Sequence, residues 1–157
     1  DLRMSRGLGD VYKRQGYAYY EQDLESRTFG VVVDTSGSMS AKQIGMALGS
    51  IASYAAAKDV PFVRIIFCDA KATDAGYLAP EDIAGRVKVT GRGGTILQPG
   101  VDCLEQANDF PKDGPILIIT DGEIENDLKV RREHAFLLPR GNRLPFRARG
   151  EVFYFRE

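Results

Sequence analysis

Apolar residues cluster along this chain in two different rhythms, and the alternation of those rhythms predicts the architecture. Residues 29–34, FGVVVD, form a continuous apolar, β-branched run that ends in an acid. Such runs suit strands covered on both faces, as in a parallel sheet. A polar turn follows, and over residues 41–58 the period changes. Ile44, Leu48, Ile51, Ala52 and Ala55 recur at i, i+4, i+7, i+8 and i+11, one face of a helix. Ser40 is a good N-cap for that helix, and Gln43 three residues later completes a capping box. Gly45 and Gly49 suggest close packing of the helix on a sheet, with simple tolerance as the plainer alternative.

Pro61 breaks the chain, and residues 62–68, FVRIIFC, predict a second strand. Residues 72–78 predict a third, weaker one, reached through the short turn Asp69-Ala70-Lys71. So short a turn forces antiparallel pairing, because a parallel crossover needs more chain. Residues 80–84 read as a single helical turn. Residues 87–89 are short and apolar and lead into Gly91-Arg92-Gly93-Gly94-Thr95. Pro99 is placed as the first residue of a helix running to about Asn108, with Val101 and Leu104 facing inward. Asp113-Gly114 is a turn. Residues 116–120, ILIIT, predict another fully buried strand, again followed by an acid, Asp121. Residues 134–138 and 151–155 are weaker strand candidates, and Pro139, Gly141 and Pro145 make the stretch between them irregular. Strands alternating with helices predict an α/β three-layer sandwich. Its sheet is mostly parallel and doubly wound, with one antiparallel edge strand.

Length and charge narrow the picture further. A chain of 157 residues suits one domain with a real core and not two. A net charge of −1 leaves no basic footprint for nucleic acid. The one local basic run, Lys129, Arg131 and Arg132, is offset by Glu125, Asp127 and Glu133 and reads as a solvated mixed-charge face. Residues 10–15, DVYKRQ, resemble the in-frame translation of a transposon adapter used in DNA library preparation. Residues 1–15 are therefore read as a non-native leader, and residues 16–157 as one domain. Setting aside the leader's four basic and two acidic residues leaves 17 basic and 20 acidic, a net −3. Cys68 and Cys103 lack a CxxC partner and read as small buried hydrophobes in a reducing compartment. No apolar run approaches the ~18 residues of a membrane span, and no signal-peptide pattern precedes the domain. The expectation is a cytoplasmic protein without membrane contact.

Three segments far apart in sequence share one geometry. Two buried strands end in Asp34 and Asp121, and a Gly-rich loop presents Thr95 ahead of a helix. In doubly wound sheets the loops after the carboxyl ends of the strands converge where the strand order reverses. Asp34, Ser36, Ser38, Thr95 and Asp121 can therefore meet around one point. All five offer oxygen, and none is His or Cys. Hard oxygen donors suit Mg²⁺, Mn²⁺ or Ca²⁺ and argue against zinc or copper. Two carboxylates roughly neutralise a divalent charge. Hydroxyl ligands add none, so the ion stays attractive to an outside anion. The i, i+2, i+4 spacing of Asp34, Ser36 and Ser38 fits a tight loop, and Gly37 permits the curl.

Here the sequence resembles a known family. Asp34-Thr35-Ser36-Gly37-Ser38 matches the DxSxS signature of von Willebrand factor type A (VWA) domains. Thr95 after Gly93-Gly94 matches their distal threonine, and Asp121-Gly122 their second acidic motif. The match is good over residues 29–123 and weak beyond. It looks closest to bacterial VWA-like domains that follow a metallopeptidase-like domain. The resemblance implies a metal-ion-dependent adhesion site. Ser36, Ser38 and Thr95 would touch the metal, and Asp34 and Asp121 would bind it directly or through water. One open position would take a partner's Glu or Asp. It also implies that the partner could be a ring ATPase, since several VWA-like proteins work beside one. The chain departs from the family after Asp121, where residues 124–133 are too polar and short for the usual long helix. That puts any helix-shift switch in doubt.

Plainer readings stand beside each feature. DTSGS alone could be a strand-to-helix turn, GRGGT a flexible loop, and Asp121-Gly122 only a turn. Asp69 could support the metal but reads better as a turn residue. Glu123 reads as solvent-exposed, and His134 as structural. Arg92 could meet an anionic partner, though exposed loop arginines are common. Two competing functions remain. An aspartate-nucleophile phosphohydrolase would use Asp34, but it normally needs a second acid two residues on, where Ser36 stands and cannot protonate a leaving group. A scaffold with a vestigial metal site is the other. The expectation is a non-enzymatic binding module.

Overall fold

The structure is a computed structural model that describes residues 28–36, 38–86 and 95–156. The leader read at residues 1–15, the short apolar stretch 87–89 and Arg92 lie outside the described residues. Among the described residues nine elements follow in order: β1 (Gly30–Asp34), α1 (Ala41–Ala57), β2 (Val63–Cys68), β3 (Ala72–Leu78), α2 (Pro80–Ile83), α3 (Gln98–Gln106), β4 (Ile116–Ile119), β5 (His134–Pro139) and β6 (Glu151–Phe155). They build a six-stranded sheet in the order β3-β2-β1-β4-β5-β6. Only β2 and β3 pair antiparallel, with a register irregularity between Ile65 and Ile66. Every other neighbouring pair is parallel. The antiparallel edge strand and the doubly wound order are as the sequence pattern predicts.

The apolar runs are continuous because both faces of the central strands are covered. Along β1, Val31 and Val33 enter one core layer with Ile44, Leu48 and Ile51 of α1, while Val32 enters the other with Val101 and Leu104 of α3. β4 divides the same way, Leu117 and Ile119 against Ile116 and Ile118. α3 lies close to the sheet because it presents a glycine there. A Cβ on Gly100 would stand 2.8 Å from Val32 Cγ1. Gly49 on α1 is different, since a Cβ there meets nothing within 4 Å. The close-packing expectation fails at Gly49, and the residue is simply tolerated.

The two parallel crossovers on the β5–β6 side contain no helix among the described residues. Extended segments take its place. Ile124, Leu128 and Val130 from the first and Leu144, Phe146 and Ala148 from the second pack partly buried on the α3-side core. Leu144, Phe146 and Ala148 lie two apart, the spacing that puts alternate side chains of an extended chain on one face. These straps bury apolar surface as a helix would, at the cost of the repeating backbone hydrogen bonds a helix supplies. The third layer is therefore part helix and part strap.

Smaller differences have local causes. Pro99 is the second residue of α3, not the first, with Leu97 at the N-cap position, and the helix stops at Gln106, two residues short of Asn108. Cys103 is half-buried rather than core, and neither cysteine is in a disulfide. The basic run is only partly a solvated face. Arg132 is half-buried, donates to the carbonyls of Pro111 (2.7 Å) and Gly114 (3.2 Å) and stacks over Phe110. His134 is structural as expected, with Nδ1 2.8 Å from the Arg132 carbonyl oxygen and its ring edge-on to Phe136. No helix among the described residues is long and apolar enough to cross a membrane.

Candidate metal centre

The loop after β1 is fixed at three points before it reaches α1. The Thr35 amide extends the β1–β2 pairing by donating to the Cys68 carbonyl at 2.9 Å. The Ser36 amide folds back onto Asp34 Oδ1 at 2.9 Å, an Asx turn. Met39 is fully buried and anchors the far side of the loop. The predicted capping box then starts α1: the Gln43 amide donates to Ser40 Oγ at 3.1 Å, and the Ser40 amide to Gln43 Oε1 at 3.0 Å. So tight a turn presents the hydroxyls of Ser36 and Ser38 together, 2.8 Å apart.

Thr95 comes from the other side of the switch point. The Ile96 amide donates to the Asp69 carbonyl (3.1 Å), and the Cys68 thiol to the Ile96 carbonyl (3.1 Å). Both contacts tether the loop to the end of β2. On its other flank Thr95 forms an isolated parallel bridge with Ile124. Held so, the Thr95 hydroxyl donates to Asp34 Oδ1 at 3.0 Å. Its single proton is then committed, and its lone pairs remain available to a cation.

Thr120 completes the cluster, and the sequence reading missed it. Its hydroxyl donates to Asp34 Oδ2 at 2.8 Å and accepts the Gly122 amide at 3.1 Å. The signal was present as register. Val33 pairs with Ile119, so Asp34 and Thr120 stand side by side one residue later. Asp121 follows on the loop, with Oδ1 accepting the Glu123 amide at 3.0 Å and its carbonyl accepting Asn142 Nδ2 at 2.9 Å. Gly122 makes that turn with φ +93°, and a Cβ there would stand 1.9 Å from the Arg143 carbonyl oxygen. Only glycine fits.

The structure thus links Asp34, Ser36, Ser38 and Thr95, with Thr120, around one buried carboxylate. Asp121 lies near enough for its charge to act on Asp34. Asp34, Ser36, Thr95 and Asp121 are buried, whereas Ser38 is exposed and marks the open side. Burial pushes the Asp34 carboxyl above its usual range. The donors from Ser36 and Thr120 pull against that shift, and the charge of Asp121 adds to it. Among the described residues neither Asp34 nor Asp121 has a Lys or Arg partner. Two close acids, one deeply buried and neither with a cation partner among the described residues, suit a divalent ion better than a bare interior. Among the described residues no three or more His, Cys, Asp and Glu side chains gather into a group that could hold a metal ion. An ion bound here would depend on the hydroxyls as well as the two carboxylates, a donor set suited to a hard, oxygen-seeking ion.

The other candidates fall where the plainer readings put them. Asp69 closes a turn by accepting the Lys71 amide at 3.1 Å, and Glu123 is exposed. Glu125, read from sequence only as part of a charge balance, instead accepts the amides of Leu97 and Gln98 at the start of α3. No curated protein matches the chain in a sequence comparison. The family model described as VWA-like domain (DUF2201) matches residues 29–131, which takes in β1 through β4 and every residue of the oxygen cluster. The chain belongs to the VWA-like domain (DUF2201) family.

Proposed function

We propose that this domain is a non-enzymatic, divalent-cation-dependent protein-binding module. In this reading Ser36, Ser38 and Thr95 hold the ion through their hydroxyls, and Asp34 and Asp121 balance its charge directly or through water. Mg²⁺ is the expected ion, with Mn²⁺ and Ca²⁺ as alternatives of the same hard class. The supporting observation is the hydroxyl cluster around Asp34. Thr95 donates its only proton inward, and Ser36 lies 2.8 Å from Ser38 at the exposed rim. When bound, the ion supplies an exposed positive centre for an acidic ligand. The protein's own part is to keep the donors preformed, which limits the ordering cost of binding. The ligand is a Glu or Asp on a partner protein in a bacterial cytoplasm, and a ring ATPase is the partner class that the resemblance to VWA domains implies.

A phosphohydrolase reading gains little from the same geometry. Both oxygens of Asp34 are engaged, Oδ1 by Ser36 and Thr95 and Oδ2 by Thr120, which is poor preparation for a nucleophile. The residue two positions on is Ser36, which cannot serve as a general acid near neutral pH.

Affinity capture from a native lysate, run in Mg²⁺ and in EDTA with wild type and Thr95→Ala, tests the proposal. A partner retained by wild type in Mg²⁺ and lost in EDTA and with Thr95→Ala is expected. The unfolding free energy of the variant should fall by about 1–3 kcal/mol, the scale of one hydrogen bond to a buried carboxylate, with the fold retained by circular dichroism. A partner held equally by the variant and in EDTA would mean that binding uses another surface and that the scaffold reading is right.

A further inference from the structure

α3 begins without a cap of its own. Its N-cap residue is Leu97, which has no side-chain acceptor to offer the first amides. Helix starts leave such amides unpaired, and they carry the positive end of the helix dipole. Here a carboxylate arrives from a different segment. Glu125 Oε1 and Oε2 accept the Leu97 amide at 2.9 and 3.0 Å, and Oε2 also accepts the Gln98 amide at 3.0 Å. Immediately before Glu125, Ile124 bridges to Thr95. A little further on, Gln98 and Lys129 exchange two hydrogen bonds, Gln98 Nε2 to the Lys129 carbonyl (2.9 Å) and the Lys129 amide to Gln98 Oε1 (2.8 Å).

We infer that Glu125 is a positioning residue for the oxygen cluster: it fastens the segment after Asp121 to the loop that presents Thr95, so that the two sides of the site move as one unit. The inference rests on the cation-binding reading for its purpose but not for its geometry. Asp121 and Glu125 are four residues apart on one segment, and Thr95 and Leu97 two apart on the other. Contacts at Glu125 and Ile124 therefore set how far Thr95 stands from Asp34 and Asp121. On the β2 side the Ile96 amide donates to the Asp69 carbonyl and the Cys68 thiol to the Ile96 carbonyl. The Glu125 carboxylate is the charged fastener, and charge-assisted hydrogen bonds to helix-start amides are the stronger kind.

The test uses the full chain as wild type, Glu125→Gln and Glu125→Ala. Amide hydrogen exchange in EDTA reads the geometry without any metal. In Glu125→Ala the Leu97 and Gln98 amides should exchange about tenfold faster or more, while Val32 and Ile118 in the central strands keep wild-type rates. Glu125→Gln retains an acceptor oxygen and should fall between. Calorimetric titration with Mn²⁺ reads the purpose. The dissociation constant should rise roughly tenfold or more in Glu125→Ala, the range for residues that orient metal ligands, and less in Glu125→Gln. Wild-type exchange at Leu97 and Gln98 in both variants would overturn the fastening itself. Faster exchange with unchanged Mn²⁺ affinity would reduce Glu125 to a helix cap. Should wild type bind no Mn²⁺, the cation reading fails on its own, and the exchange data still decide whether Glu125 holds the Thr95 loop.

Discussion

Asp34 sets the terms at the level of single residues. It is fully buried, at 0% exposure, and its carboxylate depends on donors from three different segments. Thr120 is the donor with no other evident role in the cation reading, so it separates support from ligation. Thr120→Val keeps the shape and removes the hydroxyl. It should lower the unfolding free energy by about 1–3 kcal/mol, the cost of leaving a buried charged acceptor short of a partner. Thr120→Ser should restore most of the loss. Urea unfolding of the three proteins in EDTA measures this directly, and a Thr120→Val variant as stable as wild type would show that Asp34 does not need that bond. The grouping of Asp34, Ser36, Ser38 and Thr95 was legible in sequence because they lie on the loop after a buried strand and on a Gly-rich loop ahead of a helix. Thr120 was not, because it looks like the last residue of a strand. Its function follows from the pairing register of β1 with β4, and register is a tertiary fact.

The elements were legible where period and burial agree. β1, β2, β4 and α1 carry strong patterns, and the structure places them within a residue or so of the predicted bounds. The straps after β4 and β5 were legible only as the absence of a helix. Their apolar residues, Ile124 to Val130 and Leu144 to Ala148, are too sparse to announce that they cover a sheet face. A second feature that pattern could not show is the ion-pair group at the β3 edge. Arg64, a charged residue within an apolar strand run, is 7% exposed. It donates to both oxygens of Asp74 at 3.0 and 2.6 Å, pairs with Asp109 at 2.9 Å and lies over the Tyr77 ring. The Arg64 guanidinium holds the Asp74 carboxyl below its usual range. A depressed folded-state pKa means that the contribution is fully present above the unfolded value near 3.9 and fades as pH falls through the folded one. Asp74 is a third exposed, so water screens the pair. Asp74→Asn should therefore cost about 1 kcal/mol at pH 7, and the deficit should shrink steadily as pH falls below about 4. Thermal unfolding across that pH range checks it. A deficit that stays constant with pH would mean that shape, not charge, is what Asp74 supplies.

For the whole molecule, the strand order β2-β1-β4 is what turns scattered residues into a site. β1 sends its connection to one face through α1, and the chain returns to β4 by way of α3 on the other, so the loops after β1 and β4 part at the carboxyl edge of the sheet. Thr95 arrives over the β2 side, and Asp121 over the β4 side. We propose that the oxygen cluster at this edge binds one hard divalent ion. Calorimetric titration of the EDTA-stripped domain with Mg²⁺ and with Mn²⁺ tests it most directly. One site per chain is expected, and at 100 times the dissociation constant the bound ion should raise the unfolding free energy by about 2.7 kcal/mol. Asp34→Ala, confirmed as folded by circular dichroism, should show neither heat of binding nor stabilisation. Saturable binding of equal strength in Asp34→Ala, or no binding in wild type, would contradict the account.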